Sequence, residues 1–198
     1  MSAQNLDIFT DGACSGNQFD ENAGGWGSVL EYAGRRKELH GGELNTTNNR
    51  MEIIALIEGL SAITKQGYPV RVFTDSAYLA DCLRKRWYER WRANGWKTAN
   101  RQPVENRDLW ERLLAFLPGM DLRIYIIKGH MAQNARKETL EKAYAKFREK
   151  NGDSFSYEEF MHIVEQNNRA DALAVLGAEE AKEGKEGKEA KAAKRAHG

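Results

Sequence analysis

The 198-residue chain has only two cysteines, Cys14 and Cys82. Two are too few for a disulfide framework and are not spaced as a paired zinc site, so free thiols in a reducing, cytoplasmic compartment are expected. No run approaches the roughly 18 apolar residues that a membrane span requires. The start, MSAQNLDIFTDG, lacks the basic region and apolar stretch of a secretory signal. Nor is there a bulk charge of one sign: a net charge of +1 gives no overall reason to expect a polyanionic partner. What remains is a chain 41% apolar and 30% charged, a composition suited to one soluble domain with a real core.

The average charge hides a local excess. Between Arg84 and Pro103 seven cations (Arg84, Lys85, Arg86, Arg90, Arg92, Lys97 and Arg101) face one anion, Glu89, and Trp87, Tyr88, Trp91 and Trp96 lie among them. A charge run alone reads as a solvated helical face with its tryptophans turned to the core. Three tryptophans within ten residues of a basic stretch also suit the backbone and sugars of a nucleic acid.

Alternation and turn signals predict strands at Leu6–Thr10, GGWGSVLEY and RRKELHGGEL, the last two joined through Ala33-Gly34. Ile53, Leu56, Ile57, Leu60 and Ile63 recur at helical spacing, predicting a helix from Asn48 to Gln66 that Gly67 closes. A strand VRVFT, helices around Tyr78–Arg84 and Leu109–Leu117, and a fifth strand LRIYIIK follow. The order βββ-α-β-α-β predicts an α/β fold with a five-stranded mixed sheet. Residues 131–166 carry Leu140, Tyr144 and Phe147, a break at NGDS, and then Tyr157, Phe160 and Ile163 behind a capping pair Ser156 and Glu159. An antiparallel helical pair forming a small appendage is expected there. Residues 178–198, rich in Lys, Glu, Ala and Gly, offer nothing large and apolar to bury and are expected to be disordered or a fraying helix.

The phrase Phe-Thr-Asp occurs twice, ending in Asp11 and in Asp75, each time after an apolar strand. Ligands of open α/β sheets gather beyond the carboxyl ends of strands. Taken singly, each aspartate also fits a turn or a helix cap, and Asn49 with Glu52 fits a capping pair. Taken together, Asp11, Glu52 and Asp75 form a self-repelling set unless cations lie between them. Hard oxygen ligands select magnesium or manganese, and two such ions about 4 Å apart are the arrangement used in phosphodiester cleavage.

FTDGACSGN, TTNNRMEIIA, FTDSAY, RWRANGWKTANRQPVENRDLWERL, IKGH and NNRADALA, in this order, resemble the motifs of the type 1 ribonucleases H of the bacterial form, over most of residues 5–177. The resemblance implies the ribonuclease H-like fold, with helices on both faces of the sheet. It implies an endonuclease that cuts the RNA strand of RNA–DNA hybrids with two Mg2+ ions, Mn2+ being a possible substitute, and leaves 5′-phosphate and 3′-hydroxyl ends. Asp11, Glu52, Asp75 and Asp171 would hold the metals, with His130 assisting proton movement or product departure. Cys14, Asn17, Asn48 and Asn49 would line the RNA strand, Thr47 and Asn106 a DNA phosphate, and Trp87 a deoxyribose. Residues 84–103, with Arg90, Trp91, Arg92, Trp96 and Lys97, would be the family's substrate-binding handle. The catalytic domain would span residues 1–177 of a monomer. Asn45 and Ala77 depart from residues common in relatives, and 41 positions separate His130 from Asp171 where the compact pattern has a short loop. The alternatives are a non-cleaving module that clasps hybrid or double-stranded RNA, and the nuclease part of a reverse transcriptase or transposase.

Overall fold

The computed structural model describes residues 4–15, 22–65, 67–132 and 134–196, with side chains described through Lys185. Strands β1 (Leu6–Ser15), β2 (Ala23–Tyr32) and β3 (Arg35–Leu44) form an antiparallel meander, and β4 (Val70–Thr74) and β5 (Leu122–Ile126) run parallel to β1, giving the order β3-β2-β1-β4-β5. This is the expected five-stranded mixed sheet. The helices are α1 (Asn48–Ser61), α2 (Ala77–Arg84), α3 (Trp87–Ala93), α4 (Arg107–Leu114), α5 (Lys137–Asn151) and α6 (Tyr157–Ala196). Among the described residues no helix is long and apolar enough to cross a membrane.

Alternation along the central strands divides the core in two, because successive side chains of a strand point to opposite faces. Leu6 and Ile8 of β1 and Val70 and Val72 of β4 pack with Met51, Ile53, Leu56, Ile57 and Leu60 of α1, and with α2 and α4. Phe9 and Phe73 face the other way, into a second core with Leu140 and Phe147 of α5, Phe155, and Phe160 and Ile163 of α6. Phe9, Phe73 and Tyr125 occupy one register row across β1, β4 and β5. Their rings stack at centroid distances of 5.1 and 5.2 Å, a cross-strand ladder that fixes this row.

Residues 131–166 are therefore no appendage. The stripes of α5 and α6 meet each other, as their spacing suggests, but they also cover the β1–β4–β5 face, which would otherwise leave Phe9 and Phe73 in water. Asn151, the last residue of α5, bonds both backbone groups of Ile126 through its side chain and so closes the free edge of β5. Helix α6 opens at Ser156, whose hydroxyl accepts from the Glu159 amide as expected. It lies against β2 so closely that a Cβ at Gly25 or Gly27 would collide with the carbonyls of Ala174 and Ala170. The helix also continues through residues 178–196, the segment expected to be disordered or a fraying helix. Ala178 is buried, and the Lys, Glu and Ala that follow are strong helix formers. At the other helix with revised bounds, α1 ends at Ser61 rather than Gln66, a residue outside those described.

Candidate active site

Strand β1 runs to Ser15 and does not stop at Asp11, contrary to the expected strand end. What stops is its partner: the last β1–β4 pair is Thr10 with Thr74, after which β1 pairs with β2 alone. Asp11 and Asp75 are thus the first residues past the same rung on neighbouring strands, and the sheet brings them side by side. Glu52 comes from the first turns of α1, which Thr47 opens by accepting from the Arg50 amide at 3.3 Å. The cap is Thr47, so Glu52 is released from the capping role.

One carboxylate oxygen from each of Asp11, Glu52 and Asp75 lies within 4.8 Å of the others. Asp11 Oδ2, Glu52 Oε2 and Asp75 Oδ1 are buried and without a hydrogen-bond partner. Burial, then the charges of Asp75 and Asp171, push Asp11 up to about 8. Burial and then the Asp11 and Asp75 charges lift Glu52 well above the usual carboxylate range. Asp75 is raised by burial, with His130 acting against the rise and Asp171 adding to it. A buried polar group without a partner costs free energy, and three clustered carboxylates compound it. An all-oxygen, anionic set with unsatisfied atoms fits hard divalent cations such as Mg2+.

The fourth expected carboxylate, Asp171, projects from α6 and stands outside this tight triplet. Its Oδ2 lies 3.5 Å from Nδ1 of His130, whose side chain is 75% exposed. His130 follows Gly129, which sits against Asp75 so tightly that a Cβ there would collide with the carboxylate. Neither contact is visible in sequence spacing. The repeated Phe-Thr-Asp marked where β1 and β4 part, but nothing local marks which loop closes over them.

Around this centre, Cys14 lies half-buried with its Sγ donating to the Thr46 carbonyl at 3.5 Å, beside exposed Thr47, Asn48 and Asn49. Asn17 lies outside the described residues. Asn106, in the left-handed region at φ 54, precedes α4. The handle divides in two. Arg90, Arg92 and Lys97 are exposed and form no ion pair among the described residues, and Trp87 is half-buried under the ammonium of Lys85. Trp91, expected in the handle, is 9% exposed and packs edge-on against Trp110 at 5.6 Å, as part of the core. Trp96 is half-buried against Trp91, with the Arg107 guanidinium over its ring. Arg50, missed by sequence reasoning, ties these parts together through Glu43 at 2.9 Å and a bidentate pair with Asp108 at 2.9 and 3.1 Å.

Known proteins resemble this chain in sequence and in fold. The ribonuclease H of Oleidesulfovibrio alaskensis is 46% identical over 142 residues, covering 71% of this chain and 90% of the relative. That of Chelativorans sp. is 46% identical over 158 residues, covering 78% and 94%. Among solved structures, LC9-RNase H1, described as a type 1 RNase H with the type 2 active-site motif, superposes with a TM-score of 0.58 at 30% identity, over 81% of this chain and 82% of that one. The sequence profile of the RNase H family matches residues 3–146, ending inside α5 before the last carboxylate motif. On that match and those identities, the chain belongs to the RNase H family of hydrolytic endonucleases, in its type 1 branch.

Proposed function

We propose that this chain hydrolyses the RNA strand of an RNA–DNA hybrid, leaving 5′-phosphate and 3′-hydroxyl ends, with Asp11, Glu52, Asp75 and Asp171 holding two Mg2+ ions that Mn2+ can replace. The observation that carries this reading is the buried carboxylate triplet with three unpartnered oxygens, set at the open end of β1 and β4. A fold that only clasped nucleic acid would gain nothing from such a cluster. Divalent ions bound there supply Lewis-acid activation of a water and stabilisation of the leaving oxygen.

The protein's own groups do the rest. Asp11, Glu52 and Asp75 fix the site rigidly, since each is anchored by a core strand or by the core-facing helix α1. Cys14, Asn48 and Asn49 contact the RNA strand, where recognition of the 2′-hydroxyl tells RNA from DNA. Thr47 and Asn106 hold a DNA phosphate, and the exposed face of the handle, with Trp87, Arg90, Arg92 and Lys97, grips the same strand. His130, exposed beside Asp171, moves a proton or eases product departure. The test is cleavage of labelled RNA–DNA hybrid, double-stranded RNA and double-stranded DNA with and without Mg2+, with end analysis of the products. Metal-dependent cutting of the RNA of the hybrid alone is expected. Binding without cutting would favour the clasping module.

A further inference from the structure

The 41-position separation of His130 from Asp171 raises the question of what holds the histidine, since no short loop ties it to the carboxylates. Asn168 supplies the answer. It stands one turn before Asp171 on α6, and its side-chain Nδ2 donates to the carbonyl oxygen of Met131 at 2.8 Å. Met131 is the residue after His130, and its side chain is buried in the second core against the helical layer. On the other side of His130, Gly129 rests against Asp75. His130 itself lies in the left-handed region at φ 51, which non-glycine residues seldom occupy unless neighbouring contacts hold them there. Its ring is 75% exposed, and its polar contact among the described residues is the 3.5 Å approach to Asp171. An exposed ring on a strained backbone takes its position from that backbone.

We propose that Asn168 is a positioning residue: by holding the Met131 carbonyl it fixes the 128–131 loop to α6, so that His130 and Asp171 are carried by one rigid element. This rests on the role given to His130 above. It explains how an inserted helix between histidine and aspartate leaves their relation intact, because α6 grips the loop directly and the length of the connection ceases to matter.

The experiment is a double-mutant cycle in Mg2+-dependent hybrid cleavage, with wild type, Asn168→Ala, His130→Ala and the double variant. Thermal unfolding and amide hydrogen exchange accompany each. Asn168→Ala is expected to lower kcat about three- to tenfold with KM unchanged, the effect of one lost hydrogen bond, and to speed exchange in residues 129–132 without lowering the melting temperature of the core. In the His130→Ala background the same substitution should change kcat no further. A full, additive loss in that background would overturn the proposal, because Asn168 would then act through Asp171 or through folding. So would wild-type kcat and exchange in Asn168→Ala while His130→Ala is slow. If His130→Ala itself turns over like wild type, the role of His130 falls, and this inference falls with it.

Discussion

At the scale of single residues, the clustered carboxylates oppose the fold that holds them. Asp11 has an ordinary value of 3.8 and is pushed up to about 8 by burial and neighbouring charge. A raised carboxylate stabilises the native state while it is protonated, so its contribution is complete below about pH 4 and is lost as pH rises through about 8. The metal-free protein is therefore expected to melt at a lower temperature at pH 9 than at pH 6, and Mg2+ should narrow the gap by binding the ionised form. Calorimetry with EDTA or Mg2+ checks this, and equal melting temperatures across that range would contradict it. Asp11→Asn removes one of the repelling charges and keeps the shape. It should abolish turnover, retain hybrid binding, and raise the metal-free melting temperature at pH 8. Activity within tenfold of wild type would sink the two-metal assignment. Asp11 and Asp75 were legible because a repeated tripeptide placed them on equivalent strand positions. Gly129 and Asn168 were not, since their meaning lies in what another segment brings against them.

Elements decide which residues of a motif meet solvent. The basic, tryptophan-rich segment had two sequence readings, a core-packed helix and a nucleic-acid surface, and the structure buries some of its residues and exposes others. Trp91 is in the core with Trp110, whereas Arg90 and Arg92 on the same short helix α3 are exposed. Trp91→Ala should accordingly cost about 3–5 kcal/mol of stability, as loss of a buried aromatic does. Chemical denaturation measures it, and a change in binding with stability intact would return Trp91 to the surface. Changing Arg90 and Arg92 to Ala should raise KM more than it lowers kcat and flatten the salt dependence of hybrid binding by up to about two phosphate contacts. An unchanged salt slope would make the stretch a solvated face and nothing more. The periodicity of α3 was hidden from the sequence because seven residues make barely two turns, too few for a stripe to declare itself.

For the whole molecule, the sheet needs cover on both faces, and the chain divides that work unequally. Strand alternation, the α1 stripe and the order of elements were readable locally, so one face and the sheet topology followed from sequence. The other face was not, because its cover comes from α5 and α6, and the apolar spacing within 131–166 fits equally well a self-contained pair and a layer laid on Phe9 and Phe73. The structure selects the layer: Leu140 and Phe147 of α5 share a core with Phe73 of β4 and Phe160 of α6. Replacing residues 132–154 by a Gly-rich linker of about six residues, close to a common connection length, would remove both side chains and strip Asn151 from the backbone groups of Ile126. Loss of each large apolar group costs about 2–5 kcal/mol, and an edge strand left bare adds unsatisfied backbone, against a total stability of about 5–15 kcal/mol. The shortened protein is expected to lose its cooperative thermal transition or to melt far below the full chain, and to bind a hydrophobic dye, before any question of metal affinity arises. A sharp transition near that of the full chain would show instead that α6 alone suffices to cover Phe9 and Phe73, leaving α5 free to be an addition to a complete fold.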